Sequence, residues 1–113
     1  MAEEATLTER GVRTRERLIQ AAREVFEEMG FLDARVGHIT RRAKAAYGTF
    51  YTYFDSKEAV FREVADRLFT DMTEPGRLPL RGASPAERVR RANRSYYEAY
   101  LRNARMMAII HIS

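Results

Sequence analysis

Hydrophobic residues recur along this chain at intervals of three and four, the spacing that gathers them on one face of an α-helix. Leu18, Ala22, Val25, Phe26 and Met29 make the first such stripe, in a segment that opens at Thr14. It closes at Gly30, where a glycine predicts a left-handed helix cap. Val36, Ile39 and Ala43 make a second, short stripe, with Arg41 and Arg42 facing elsewhere. Three residues later a further segment begins at Tyr47 and carries Thr49, Phe50, Tyr51, Tyr53 and Phe54. Its aromatic and β-branched density would allow a strand, but Phe50 and Phe54 stand four apart and favour a helix with one buried face.

Asp55, Ser56, Lys57 and Glu58 read as a capping box, with Asp55 accepting from backbone N–H groups and Glu58 reaching back. A fourth helix follows, with Val60 or Phe61, Val64, Leu68 and Met72 on its stripe. Pro75, Pro79 and Pro85, with Gly76 and Gly82, bar any helix from crossing the stretch from Thr73 to Pro85, which is the linker. Ser84 to Glu87 form a second capping box with Pro85 at the first helical position. The last helical region carries Val89, Ala92, Tyr96, Tyr100, Ala104 and Met107, with a break suggested at Arg102 and Asn103. The fold class is all-α. Residues 1–13 have mixed charge and no periodicity and predict a mobile arm. The run from Met106 to Ile112 is apolar with no stop signal, so Ala104, Met107, Ile109, Ile110 and Ile112 are expected to form an exposed patch on a chain that continues.

Length and composition narrow the possibilities. A chain of 113 residues is one domain or two small ones, which excludes a large multi-domain enzyme. Hydrophobic residues at 45% beside charged residues at 32%, with no long apolar run, predict a soluble globular chain that spans no membrane. Glu3, Glu4 and Glu9 stand where a signal peptide needs basic and apolar residues, so the cytoplasm is the expected compartment. The absence of cysteine removes disulfides, thiolate zinc sites, iron–sulfur clusters and cysteine nucleophiles together. His38 and His111 have no second ligand at metal spacing, so no metal is expected, and no cofactor either. Without a nucleophile elbow, phosphate loop or paired-histidine motif, no catalytic residue is assigned.

Charge changes the picture more. The window from Arg35 to Lys57 holds Arg35, Arg41, Arg42, Lys44 and Lys57 against Asp55 alone, so the whole formal charge of +4 lies there. The same window contains two short helices joined by three residues and stacked on a longer one, which describes a helix-turn-helix whose second short helix can enter a DNA major groove. With Phe50 and Phe54 anchored inward, Tyr47, Thr49, Tyr51, Thr52 and Tyr53 are left largely outward, unless the tyrosines simply form a packed aromatic face. Gly48 lets the backbone approach a phosphate, and tyrosine hydroxyls reach phosphate oxygens. Lys57, in the first turn of the next helix, stands where phosphate is already attracted, so its removal should lower the logarithmic salt slope of binding by roughly 0.9. Arg41 and Arg42 read as a solvated face with at most one near a phosphate.

The run Tyr47-Gly48-Thr49-Phe50-Tyr51-Thr52-Tyr53-Phe54-Asp55-Ser56-Lys57-Glu58 resembles the signature of the tetracycline-repressor (TetR) family of bacterial transcriptional regulators. Ala21 to Phe26, Gly30-Phe31, and Val36 with Ile39 and Ala43 match the family's first two helices, and the likeness covers about residues 14 to 70. The resemblance implies a repressor of double-stranded DNA operators, a homodimer when full length, released by a small-molecule inducer. It implies a helix-turn-helix domain over residues 14–56, then a connecting helix, linker and the truncated start of a ligand-binding and dimerisation domain over 57–113. By motif position it makes Thr49, Tyr51, Thr52, Tyr53 and Lys57 DNA contacts, with Arg35 and Gly37 reaching the backbone. Lys44 adds a cation where the family commonly has glycine, at the cost of some left-handed strain, and Ala46 cannot supply the side-chain cap of the family's serine. Tyr96, Tyr100, Met107 and His111 are the ligand-lining residues the resemblance implies, while the helical spacing of Tyr96, Tyr100 and Met107 by itself reads as core. The competing reading is a helical protein-interaction module that keeps the fold but has lost operator binding.

Overall fold

The computed structural model describes residues 8–73 and 84–112. Its regular elements are six α-helices: α1 Glu9–Asp33, α2 Val36–Ala43, α3 Tyr47–Tyr53, α4 Lys57–Thr73, α5 Pro85–Arg102 and α6 Ala104–Ile112. Contacts divide the chain into two compact units, residues 1–64 and 65–113, and the division falls inside α4.

In the first unit α1 starts five residues before Thr14. The Thr8 hydroxyl accepts from the Gly11 N–H at 3.0 Å, and Glu9 adds an acid to the first turn, so a cap begins the helix before any apolar stripe does. Residues 9–13 of the expected arm are therefore helical, while residues 1–7 lie outside the described residues. Gly30 has the positive φ expected of it, +79°, but its ψ of 169° belongs to a region reached almost only by glycine, not to the left-handed helical well. The chain kinks there.

Leu18, Ala22, Val25 and Phe26 are buried on α1 as their spacing requires, joined by Ile39 and Ala43 of α2, Phe50, Phe54, Val60 and Val64. Met29, expected on the same stripe, is exposed, because the α2 side chains beside it are His38, Arg41 and Arg42. Phe26, Phe31 and Phe61 form a triangle with ring centroids 4.7 to 5.8 Å apart, which ties the end of α1 to the start of α4. Val60 and Phe61 thus both point inward. The cap of α4 is Ser56 and not Asp55: the Ser56 hydroxyl accepts from the Ala59 N–H at 3.1 Å. Ser56 stands three residues before that donor, which is the capping distance.

In the second unit Leu68 and Met72 of α4 are buried, with Ala99, Met106 and Met107. Ser84 and Glu87 exchange the expected reciprocal bonds, 3.2 Å to the Glu87 N–H and 3.1 Å to the Ser84 N–H. The break at Arg102 and Asn103 is real. The Asn103 amide donates to Asp71 Oδ2 at 2.8 Å and to the Ala99 carbonyl at 2.6 Å. That anchor turns inward the line Ala99, Asn103 and Met106, one helical position away from the expected one. Val89, Ala92, Tyr96 and Tyr100 are consequently exposed. Of the expected terminal patch, Met107 is buried at 8% exposure and Ala104, Ile109 and Ile110 are half-buried, while the Ile112 side chain lies outside the described residues. The linker from residue 74 to 83 also lies outside them.

Candidate nucleic-acid interface

The turn between α2 and α3 closes through its backbone alone. Lys44 adopts the left-handed conformation, φ 58° and ψ 46°, and its N–H reaches the Arg41 carbonyl at 3.2 Å while the Ala45 N–H reaches that of Thr40 at 2.9 Å. This crossed pair is the Schellman arrangement, normally built on glycine. Arg17 of α1 adds a bond from Nε to the Ala43 carbonyl at 3.3 Å. Ala46 supplies no side-chain cap to α3, as its methyl group dictates. What positions α3 is burial: Phe50 is fully enclosed, its ring 5.6 Å from that of Phe54, over which the Arg15 guanidinium sits at 5.0 Å.

The other end of α2 is capped by His38. His38 Nδ1 accepts the Arg35 N–H at 3.1 Å, which requires the tautomer protonated on Nε2. The Arg35 side chain cannot return the favour, since guanidinium has no acceptor. Its charge is left outward. The Gly37 carbonyl takes the Thr40 hydroxyl at 3.2 Å.

Arg35, Gly37, Tyr47, Tyr51 and Lys57 line one open cleft of about 600 Å3, together with His38 and Arg41. Five of the ten residues expected from the sequence thus come together. Lys44, Gly48 and Thr52 are exposed outside that lining, and Thr49 and Tyr53 are half-buried. Tyr47 and Tyr51 are 60% and 47% exposed, which rejects the packed aromatic face for these two. Their rings meet edge to face at 5.7 Å, and the hydrogen bond between their side chains holds the Tyr51 phenol above its ordinary value, with desolvation adding to it. At Gly48 nothing in the chain lies within 4 Å of where a Cβ would stand. Packing does not demand the glycine.

Lys57 behaves otherwise than its sequence position suggests. Its ammonium donates to the Phe31 carbonyl at 2.8 Å and the Ala34 carbonyl at 3.1 Å, and stands 4.3 Å from the Phe31 ring centre. It holds the end of α1 to the start of α4. Arg42 is likewise engaged: it forms a bidentate pair with Glu28, one bond at 2.6 Å, with Glu24 at 3.6 Å. The Glu28 hydrogen bond keeps the Arg42 guanidinium above its ordinary value. Glu24 and Glu28 stand four apart on α1, a spacing that puts two carboxylates on one face, but that Arg42 meets them is decided by packing.

The residues implied as ligand-lining do not share one environment. Tyr96 and Tyr100 are 53% and 40% exposed, His111 is exposed and Met107 is buried. Among the described residues no group of three or more His, Cys, Asp or Glu could hold a metal ion, and no helix is long and apolar enough to cross a membrane.

The match to a family model falls within this unit. Residues 18–64 match the family model of the bacterial regulatory proteins of the tetR family. An uncharacterized HTH-type transcriptional regulator of Bacillus subtilis, YdgC, is 46% identical over 55 residues, covering 49% of this chain and 28% of that protein. The HTH-type transcriptional repressor NicS of Pseudomonas putida is 29% identical over 99 residues, 87% of this chain and 47% of that protein. This chain therefore spans less than half the length of those relatives. Among solved structures, a TetR-like transcriptional regulator from Rhodococcus sp. RHA1 superposes with a TM-score of 0.66 at 25% identity, over 81% of this chain and 51% of the other. Through residues 18–64 of the helix-turn-helix unit, the chain is similar to the tetR family of bacterial regulatory proteins.

Proposed function

We propose that the chain is the DNA-reading part of a sequence-specific transcriptional regulator, a repressor released by a small molecule. The observation that carries this reading is the exposed face of α3 beside a cleft lined by Arg35, Arg41, Tyr47 and Tyr51. A helix anchored by Phe50 and Phe54 presents hydroxyl groups outward, and a duplex major groove accepts one such helix. Thr49 and Thr52 read base edges through hydroxyl and methyl groups, while Arg35, Gly37, Lys44, Tyr47, Gly48, Tyr51 and Tyr53 set the helix against the backbone. Lys57 enters as a positioning residue, because its ammonium is committed to two carbonyls. Repression is the activity in the name of NicS, and comes to this chain by likeness alone. Release by a ligand, with Tyr96, Tyr100, Met107 and His111 near it, rests on the family resemblance, as do homodimerisation and a cytoplasmic location.

A turn distorted at Lys44 and Ala46 would favour the interaction-module alternative. Lys44 nevertheless closes a Schellman turn, so the substitution leaves α3 presented outward.

Selection of bound sequences from random duplexes, repeated with Thr49→Ala and Thr52→Ala, tests the reading. The expected result is a defined site whose preference changes at particular base pairs in each variant. A uniform loss across all sequences reassigns both threonines to positioning, and absence of any preferred sequence rejects the regulator.

A further inference from the structure

Arg41 and Arg42 are adjacent and carry the same charge, yet one helical step turns them about 100° apart. Their surroundings differ accordingly. The Arg42 guanidinium is held by both oxygens of Glu28 and by Glu24, so its charge is already met by two carboxylates on α1. A phosphate approaching Arg42 must approach those carboxylates as well. Arg41 is exposed and makes no side-chain hydrogen bond or ion pair among the described residues. It lines the cleft that also presents Arg35, Tyr47 and Tyr51.

We propose that Arg41 is a phosphate contact of this interface and that Arg42 is not. The inference rests on the DNA-binding reading and sharpens it. Only a cation that is not neutralised inside the protein replaces a counterion on DNA, and only such a cation contributes to the salt dependence of binding. Of the five basic residues from Arg35 to Lys57, Arg42 is paired with carboxylates, and Lys57 keeps its charge but commits two of its three ammonium N–H groups to carbonyls. Arg41 joins Arg35 and Lys44 as an electrostatic contact. A count of formal charge along the sequence weighs all five alike, which the geometry does not allow.

The two arginines provide their own control, since replacing either removes one unit of charge from neighbouring positions. The 113-residue chain is titrated with a random-sequence duplex of about 24 base pairs across roughly 50 to 200 mM salt. Arg41→Gln is expected to lower the logarithmic salt slope by roughly 0.9, and Arg41→Lys to retain it. Arg42→Gln, and the charge-neutral double variant Glu28→Gln with Arg42→Gln, are expected to leave the slope unchanged. Equal slope losses for Arg41→Gln and Arg42→Gln, in variants that keep the wild-type helical circular dichroism, would overturn the inference while leaving DNA binding intact. A wild-type chain that shows no salt-dependent binding would overturn the DNA-binding reading and this inference with it.

Discussion

On the exposed face of α3 the neighbouring Tyr47 side chain holds the Tyr51 phenol above its ordinary value, chiefly by hydrogen bonding, which favours the neutral form. The folded value therefore lies above the unfolded one, which is about 10. The stabilisation is fully present below about pH 10 and is lost as pH rises through the folded value, so neutral solutions are unaffected. Tyr47→Phe should bring the Tyr51 titration down towards its ordinary value, read from phenolate absorbance in an alkaline titration. An unchanged titration sinks the pairing. Gly48 offers a second test at this scale, because stability and binding should move in opposite directions. Alanine in a helix is favoured over glycine by roughly 0.5–1 kcal/mol and here meets no neighbour within 4 Å, so denaturation should show a more stable Gly48→Ala variant. DNA affinity should fall if the bare backbone is what a phosphate approaches. Unchanged affinity removes Gly48 from the interface.

Helices α2 and α3 are too short to hold themselves, and each is fixed by side chains from elsewhere. Phe50 is the buried anchor of α3, so Phe50→Ala should cost about 3–5 kcal/mol in chemical denaturation, against well under about 1 kcal/mol for Tyr51→Ala on the exposed face. A Phe50→Ala loss no larger than that of Tyr51→Ala means that α3 is not held by its apolar face. Lys57 makes the comparable fastening between α1 and α4. Lys57→Met should lower stability by about 1–2 kcal/mol, discounted for its partial exposure, and leave the salt slope of DNA binding unchanged. A slope reduced by a full counterion would return Lys57 to the phosphate contacts. The helical stripes of α1, α2 and α4 were readable because their buried residues keep the spacing of three and four that one helix face requires. On α5 periodicity alone selected Tyr96 and Tyr100, whereas the Asn103 bonds to Asp71 and Ala99 turn the adjacent line inward. Spacing states that a helix has an apolar face; it does not state which of two neighbouring faces meets a partner.

For the molecule as a whole, a two-fold operator needs two recognition helices set about one duplex turn, or ~34 Å, apart. This chain covers less than half of the relatives named above, and the homodimer that the resemblance implies is an expectation for the full-length protein. The 113-residue chain is therefore expected to bind a duplex carrying two half-sites without cooperativity, as the product of two independent events. Titration of one-site and two-site duplexes checks this, and marked cooperativity would show that these residues already pair.

Several features needed no coordinates. Apolar spacing along α1, α2 and α4, the Ser84 box and the run from Tyr47 to Glu58 depend on neighbours three or four residues away, and local geometry carries them into helices with little room for choice. The outward hydroxyls of α3 follow from its two inward phenylalanines. What waited for the fold was the partnering of charge. Arg42 and Lys57 look like free cations in a basic window, and each is met by groups 14 to 26 residues away in the chain. A side chain's usefulness to DNA depends on whether its charge is already answered, and packing alone brings such distant groups within bonding distance.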